Sequence, residues 1–182
     1  MASVLSHPAA ILGLSPWFRS RGVRRRAALF GVFCAVLPDV DAVGFWLGVP
    51  YGSAWGHRGL THSILAAAVV AAACAAGAFR AERSRIAILF FLFLCGASHG
   101  FFDAMTDGGL GVAFLAPFDR GRFFLPWRPV RVSPIGLHGF FGPRGLAILE
   151  SELLWIWLPC VALGAAGVVW RRTRMAGGDR WK

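Results

Sequence analysis

Charge is scarce in this chain, and lysine is all but missing. Only 15% of the 182 residues are charged, with nine acids, and Lys182 is the one lysine beside 18 arginines. A soluble domain carries about a quarter charged residues. Here Ser63–Phe79, Ile86–Phe102 and Leu153–Trp170 contain no Asp, Glu, Lys or Arg. Each is close to the roughly 17–25 residues that a membrane helix needs. With 57% hydrophobic residues and a mean hydropathy of +0.60, the composition excludes a soluble globular protein. It predicts an all-α, polytopic membrane helix bundle of about four transmembrane helices plus a short N-terminal half-helix.

Other absences narrow the reading further. The four cysteines (Cys34, Cys74, Cys95, Cys160) all lie in apolar runs without CxxC spacing, so they read as small buried side chains rather than a redox or zinc motif. No internal repeat and no soluble domain stand out: residues 1–175 read as one membrane-embedded domain and 176–182 as a basic cytoplasmic tail. The start, Met1 to Phe18, lacks the basic n-region of a signal peptide and is too short to span comfortably. A half-membrane helix beginning near Pro8 fits it, since proline suits a first helical turn. No Ser–His–Asp or Cys–His nucleophile arrangement is evident, and Ser63 reads as a helix-start residue. The formal charge of +10 comes from arginines that punctuate apolar segments, not from a basic face, so no nucleic-acid partner is expected. Counted by segment, thirteen basic residues fall on one side of the bundle and six on the other, which places the polar loops outward.

What the chain does have is a set of histidines and aspartates placed where they are costly. Trp55 to Ser63 holds two histidines, an arginine and two hydroxyls in nine residues, directly before an apolar run. Ala27 to Val49 is a spanning candidate interrupted by Pro38, which removes a backbone donor, and followed by Asp39 and Asp41. A carboxylate at bilayer depth costs about 2.5–3.5 kcal/mol on insertion scales, so two of them ask for a cation. In Ile86 to Phe102 and just beyond, His99 and Asp103 stand at i and i+4 on one helix face. The last span is expected over about Leu149 to Trp170.

Measured from the flanking arginines at 1.5 Å per residue, Asp39 lies about 20 Å above the inner face, His99 about 21 Å, His62 about 27 Å and His7 about 18 Å. Four segments thus bring their ligand-type side chains to a similar depth. The set His7, Asp39, Asp41, His57, His62, His99 and Asp103 offers nitrogen and oxygen without sulfur, which suits a divalent metal. Zinc is the first expectation, with manganese or iron as alternatives, in one or two ions. The same residues also fit a buried polar network of His–Asp pairs that holds helices together.

Three elements together resemble a known family. Leu37-Pro38-Asp39-Val40-Asp41, Gly56-His57-Arg58-Gly59-Leu60-Thr61-His62-Ser63 and Ser98-His99-Gly100-Phe101-Phe102-Asp103 resemble the YdjM-like family of bacterial inner-membrane, metal-dependent hydrolases. The likeness runs from His7 through Asp119-Arg120-Gly121-Arg122 and Pro126-Trp127-Arg128-Pro129. It implies a bacterial inner-membrane location and metal roles for Asp39, Asp41, His57, His62, His99 and Asp103. A remoter likeness to zinc-dependent phospholipase C rests on fold and ligand type alone.

These readings combine into an expected membrane-embedded hydrolase acting on a phosphoester or other ester. Its substrate would be a lipid or lipid-linked molecule met on the extracytoplasmic side. Asp39 or Asp107 is the candidate general base, and Arg58, Arg120 or Arg122 is the candidate neutraliser of phosphate oxygens. The alternative is a non-catalytic membrane scaffold or metal-handling protein in which the metal staples the bundle.

Overall fold

The computed structural model describes residues 1–17, 21–134 and 140–176. Residues 177–182 of the basic tail and Arg19 of the arginine cluster lie outside that range. The described residues are helical, joined by irregular loops, with two isolated backbone bridges (Thr106–Val130 and Val112–Phe123) and no strand among them.

Helix α1, Ala9–Leu14, starts directly after Pro8, whose fixed φ already has the helical value. Helix α2, Arg21–Val36, tightens at Pro38 into i→i+3 turns over Leu37–Ala42 and resumes as α3, Val43–Trp46. Helix α4, Ile64–Ala78, is capped by Ser63, whose hydroxyl accepts from Ala66 N at 3.0 Å. Thr61 and His62 lie in a short turn just before the helix. Helix α5 runs Arg85–Ala104. Further along the chain come α6, Pro143–Glu152, wider π-type turns over Leu153–Trp157, and α7, Leu158–Ala176.

Among the described residues, three helical runs are long and apolar enough to cross a bilayer: Arg25–Trp46, Arg85–Ala104 and Pro143–Arg174. The fourth apolar helix, Ile64–Ala78, has 15 residues and so reaches only about 22 Å of a hydrocarbon core near 30 Å. The sequence count of about four spans thus becomes three full ones and a short one.

Helix α5 lies between α2 and α4, while α1 packs on α7. Between α2, α4 and α5 the core is Cys34, Ala35, Ala71, Ile88, Phe91, Leu92 and Cys95. A second apolar cluster joins Ala9 and Ala10 to Phe102, Met105, Val130 and Ile156. His99 sits on α5 between the two. All four cysteines are free, and Cys34 and Cys95 are buried as small core side chains. Helices α1 and α7 approach at glycine: a Cβ on Gly164 would stand 2.4 Å from the Leu12 carbonyl oxygen, and one on Gly13 would stand 3.0 Å from that of Cys160. Small residues permit such close contact where no hydrophobic drive acts between helices. That contact seats α1, and with it the residue just before it that matters most, His7.

Candidate metal centre

The 50–63 loop is a series of tight turns, and its glycines are sterically required. A Cβ on Gly56 would meet the Pro50 carbonyl oxygen at 2.3 Å, and one on Gly59 would meet that of Ala54 at 2.4 Å. Between them Arg58 adopts φ +62°, a left-handed conformation that costs a non-glycine residue about 1–3 kcal/mol. The cost is offset by what the side chain reaches. Arg58 is wholly buried, with Nε 3.2 Å from Asp103 Oδ2, Nη1 donating to the Gly108 carbonyl at 3.0 Å and Nη2 to Thr106 Oγ1 at 2.9 Å.

Hydrogen bonds set the histidine tautomers, and each leaves Nε2 facing inward. His57 Nδ1 lies 2.6 Å from Asp41 Oδ1, and His62 Nδ1 lies 3.1 Å from Asp41 Oδ2. A carboxylate only accepts, so both Nδ1 atoms carry hydrogen. Thr61 Oγ1 also donates to Asp41 Oδ2. His99 Nδ1 donates to the Ala35 carbonyl at 2.7 Å. That carbonyl is in the last α-type turn before the tightening at Pro38, where end carbonyls lose their usual partners. His62 Nε2 and His99 Nε2 then face each other at 2.9 Å. Asp41, grouped with the ligands by sequence, stands behind two histidines and orients them; it is outside the converging set.

Two overlapping groups of donor atoms converge. Asp39, His57, His62 and Asp103 form one, and His7, His99 and Asp103 the other, with the chosen atoms of each group within 4.8 Å of one another. Asp103 belongs to both. Its Oδ2 is 3.5 Å from His62 Nε2 and its Oδ1 is 3.8 Å from His7 Nε2, while Oδ1 also accepts from Ala2 N at 2.6 Å. The His7 ring stacks on His99 with centroids 3.7 Å apart. Asp39 reaches His99 at 3.4 Å and His7 at 3.7 Å. Its side chain is 8% exposed, where those of His7, His62, His99 and Asp103 are fully enclosed, so Asp39 is the most open member.

The test of fit for a cation is the buried side-chain atoms without a hydrogen-bond partner. Among the described residues these are both nitrogens of His7, both oxygens of Asp39, His57 Nε2 and Asp103 Oδ2, together with Ser53 Oγ and with Arg58 Nε, which forms an ion pair with Asp103 Oδ2. Native interiors seldom leave such atoms unpaired. Six of them gathered at one place, all of ligand type, fit a divalent metal. Burial pushes the His7 imidazole down to about 3, assisted by His99, so its nitrogens are free of any extra proton. At His62 burial also opposes charge, but Asp103 and Asp41 outweigh it and push the imidazole up to about 9. A proton therefore sits at His62 where a cation would replace it.

The remaining expected site residues fall elsewhere. Asp107 is exposed, with Oδ1 accepting from Val132 N at 2.8 Å, and it shapes the loop rather than joining the convergent set. Arg58 is enclosed and committed to Asp103, the Thr106 hydroxyl and the Gly108 carbonyl. Arg122 donates to the carbonyls of His57, Tyr51 and Ser53 at 3.0, 2.9 and 3.1 Å, tying down the loop that carries His57. Arg120 is exposed, and with Arg122 and Trp55 it lines a cavity of about 350 Å³ beside Gly59 and Leu60. Sequence reasoning passed over Thr61, Thr106 and the Ala35 carbonyl, which hold the site from behind. It also passed over Glu152, although a carboxylate near an apolar span is itself a signal.

The geometry and the fold define an integral membrane helix bundle with a buried histidine–aspartate centre. Residues 3–174 match the family described as YdjM inner membrane protein, and the chain belongs to that family. Inner membrane protein YbcI of Escherichia coli (strain K12) is 38% identical over 175 residues, covering 96% of this chain and 100% of that protein. No solved structure matches the chain. Membrane association and the family resemblance drawn from the motifs therefore stand.

Proposed function

We propose that the protein is a membrane-embedded metal-dependent hydrolase whose centre is His7, Asp39, His57, His62, His99 and Asp103, with Asp41 orienting two of the histidines. The observation that carries this reading is the gathering of buried, unpartnered nitrogen and oxygen atoms from four chain segments. Two groups sharing Asp103 favour two ions over one. A divalent cation in either group would act as a Lewis acid on an ester and acidify a water. The chain's own part is to hold four Nε2 atoms and two carboxylates in place and to keep bulk water out. Asp39, the most open member and unpartnered at both oxygens, is placed to take up a proton as general base. Arg120 is free to meet an anionic group, whereas Arg58 and Arg122 act through the residues they hold.

A lipid or lipid-linked ester is the favoured substrate class. A groove of about 450 Å³ lined by Leu14, Leu94, Phe101, Phe102, Phe114 and Leu163 lies beside Phe102, which is next to Asp103 in sequence. A small apolar crevice also adjoins Pro38 and Thr61, neighbours of Asp39 and His62. The rival reading, a metal-stapled scaffold, draws on the near-complete enclosure of the donors. Metal content of detergent-purified protein, together with hydrolysis assays on phospholipids and lipid-linked esters, separates the two. Bound metal without turnover favours the scaffold, and no bound metal removes both.

Metal uptake should be proton-linked with a defined sign. Because the His62 proton persists up to about pH 9, binding near pH 7 must release it. Apparent affinity is expected to rise about tenfold per pH unit between pH 7 and 9 and to flatten above, as one displaced proton requires. Calorimetry in buffers of different ionisation enthalpy reads the released proton. An affinity independent of pH over that range would count against His62 as a ligand.

The bias of thirteen arginines and lysine against six favours an extracytoplasmic centre. Cysteines placed at positions 53–55 are expected to react with an impermeant thiol reagent on intact cells, and cysteines at 81–84 only after lysis. The reverse pattern would turn the site to the cytoplasm.

A further inference from the structure

We propose that Glu152 is a positioning residue of the centre, fixing the 2–7 segment so that His7 meets His99 and Asp103. The inference rests on the metal reading above and extends it to a carboxylate some 50 residues away in sequence from any of the donors. Glu152 is fully buried at the end of α6, inside the Pro143–Arg174 spanning run. A carboxylate there is costly unless it is well bonded. Its hydrogen bonds come from one short segment: Ser3 N, Ser3 Oγ at 2.6 Å and Ser6 Oγ at 2.8 Å. Among the described residues no Lys, Arg or His forms an ion pair with it. The cost of burying it is met by neutral donors that all belong to the segment delivering His7.

The local helix geometry serves the same end. Ser6 Oγ also accepts from Trp157 Nε1 at 2.9 Å. Residues five apart stack on one side of a helix only where the turns are π-type, with i→i+5 pairing, and the turns over Leu153–Trp157 are of that kind. In an ordinary α-helix neighbours on one face lie three or four apart, and Trp157 would turn away from Glu152. At its other side the segment places Ala2 N on Asp103 Oδ1. His7 follows Ser6 directly, enclosed and stacked on His99. Glu152 thus acts through the strap chiefly on His7, which belongs to one donor group alone; the strap also bonds Asp103, which both groups share, but it has no hydrogen bond to His57 or His62.

This asymmetry gives the test. Glu152→Gln introduces an amide that cannot accept from all three donors. Hydrogen exchange of metal-free protein in detergent is expected to show backbone amides 2–9 exchanging at least tenfold faster, with amides 56–63 unchanged. In zinc titrations the variant should hold about one ion where the wild type holds two. Ser3→Ala with Ser6→Ala should reproduce the loss with the carboxylate left in place, should Glu152→Gln fail to fold. Unchanged exchange at 2–9, or equal weakening of both ions, would overturn the proposal. A wild type that binds no zinc would instead sink the metal reading, and the exchange arm would still decide whether Glu152 holds the strap.

Discussion

Asp103→Ala is expected to strip the centre of metal altogether, whereas His7→Ala and His57→Ala should each remove about one ion. The pattern follows from geometry: Asp103 is the one side chain common to both donor groups, with Oδ2 towards His62 and Oδ1 towards His7. Loss even of a residue that only orients a ligand typically costs 10–100-fold in metal affinity, and loss of a shared ligand should cost each ion at least about 100-fold. Asp103→Asn keeps an oxygen for Ala2 N and should show an intermediate loss. Metal analysis of the purified variants after equilibration at fixed free zinc reads all four. Full occupancy in Asp103→Ala would remove the shared carboxylate, and the two-ion arrangement with it.

Arg58→Leu is expected to destabilise the metal-free protein by about 3–5 kcal/mol, as breaking one partner of a buried ion pair does. The substitution leaves Asp103 Oδ2 enclosed without its guanidinium, frees the Gly108 carbonyl and Thr106 hydroxyl, and retains a side chain at φ +62°. Arg58→Lys should fall between, since an ammonium supplies the charge but not the planar fork that spans three acceptors. Added zinc should recover part of the loss, because a cation beside Asp103 replaces the missing charge. Thermal unfolding in detergent, with and without zinc, measures both effects. A midpoint unmoved in Arg58→Leu would show that the buried pair does not hold the 55–60 loop to α5.

Much of the fold was legible because membrane insertion is a local matter: length and apolarity decide it segment by segment. Pro38 announced the change in helix geometry, for the missing donor acts on its own turn. Ile64–Ala78 was harder to judge, since Ser63 caps the helix and Phe79 ends it several residues short of a full crossing. The site was legible where spacing on one element suffices. His99 and Asp103 share a face of α5 by the i,i+4 rule, and their facing atoms lie 3.9 Å apart. The roles of Asp41, Arg58 and Arg122 were not legible in the same way. Which oxygen meets which nitrogen depends on contacts between segments tens of residues apart.

The sequence by itself determined that this is a helical membrane protein of the YdjM family with ligand-type histidines and aspartates in short motifs. Those properties reside in composition, periodicity and short motifs, each set by neighbours along the chain. Only the tertiary structure decided that Asp103 joins two donor groups, that Asp41 stands behind His57 and His62, and that Glu152 bonds Ser3 and Ser6 across separations of 149 and 146 residues. The physical reason is that a buried polar atom takes whichever partner packing brings within about 3 Å. Helix contacts such as Gly164 against Leu12 set that distance, and no local pattern encodes it.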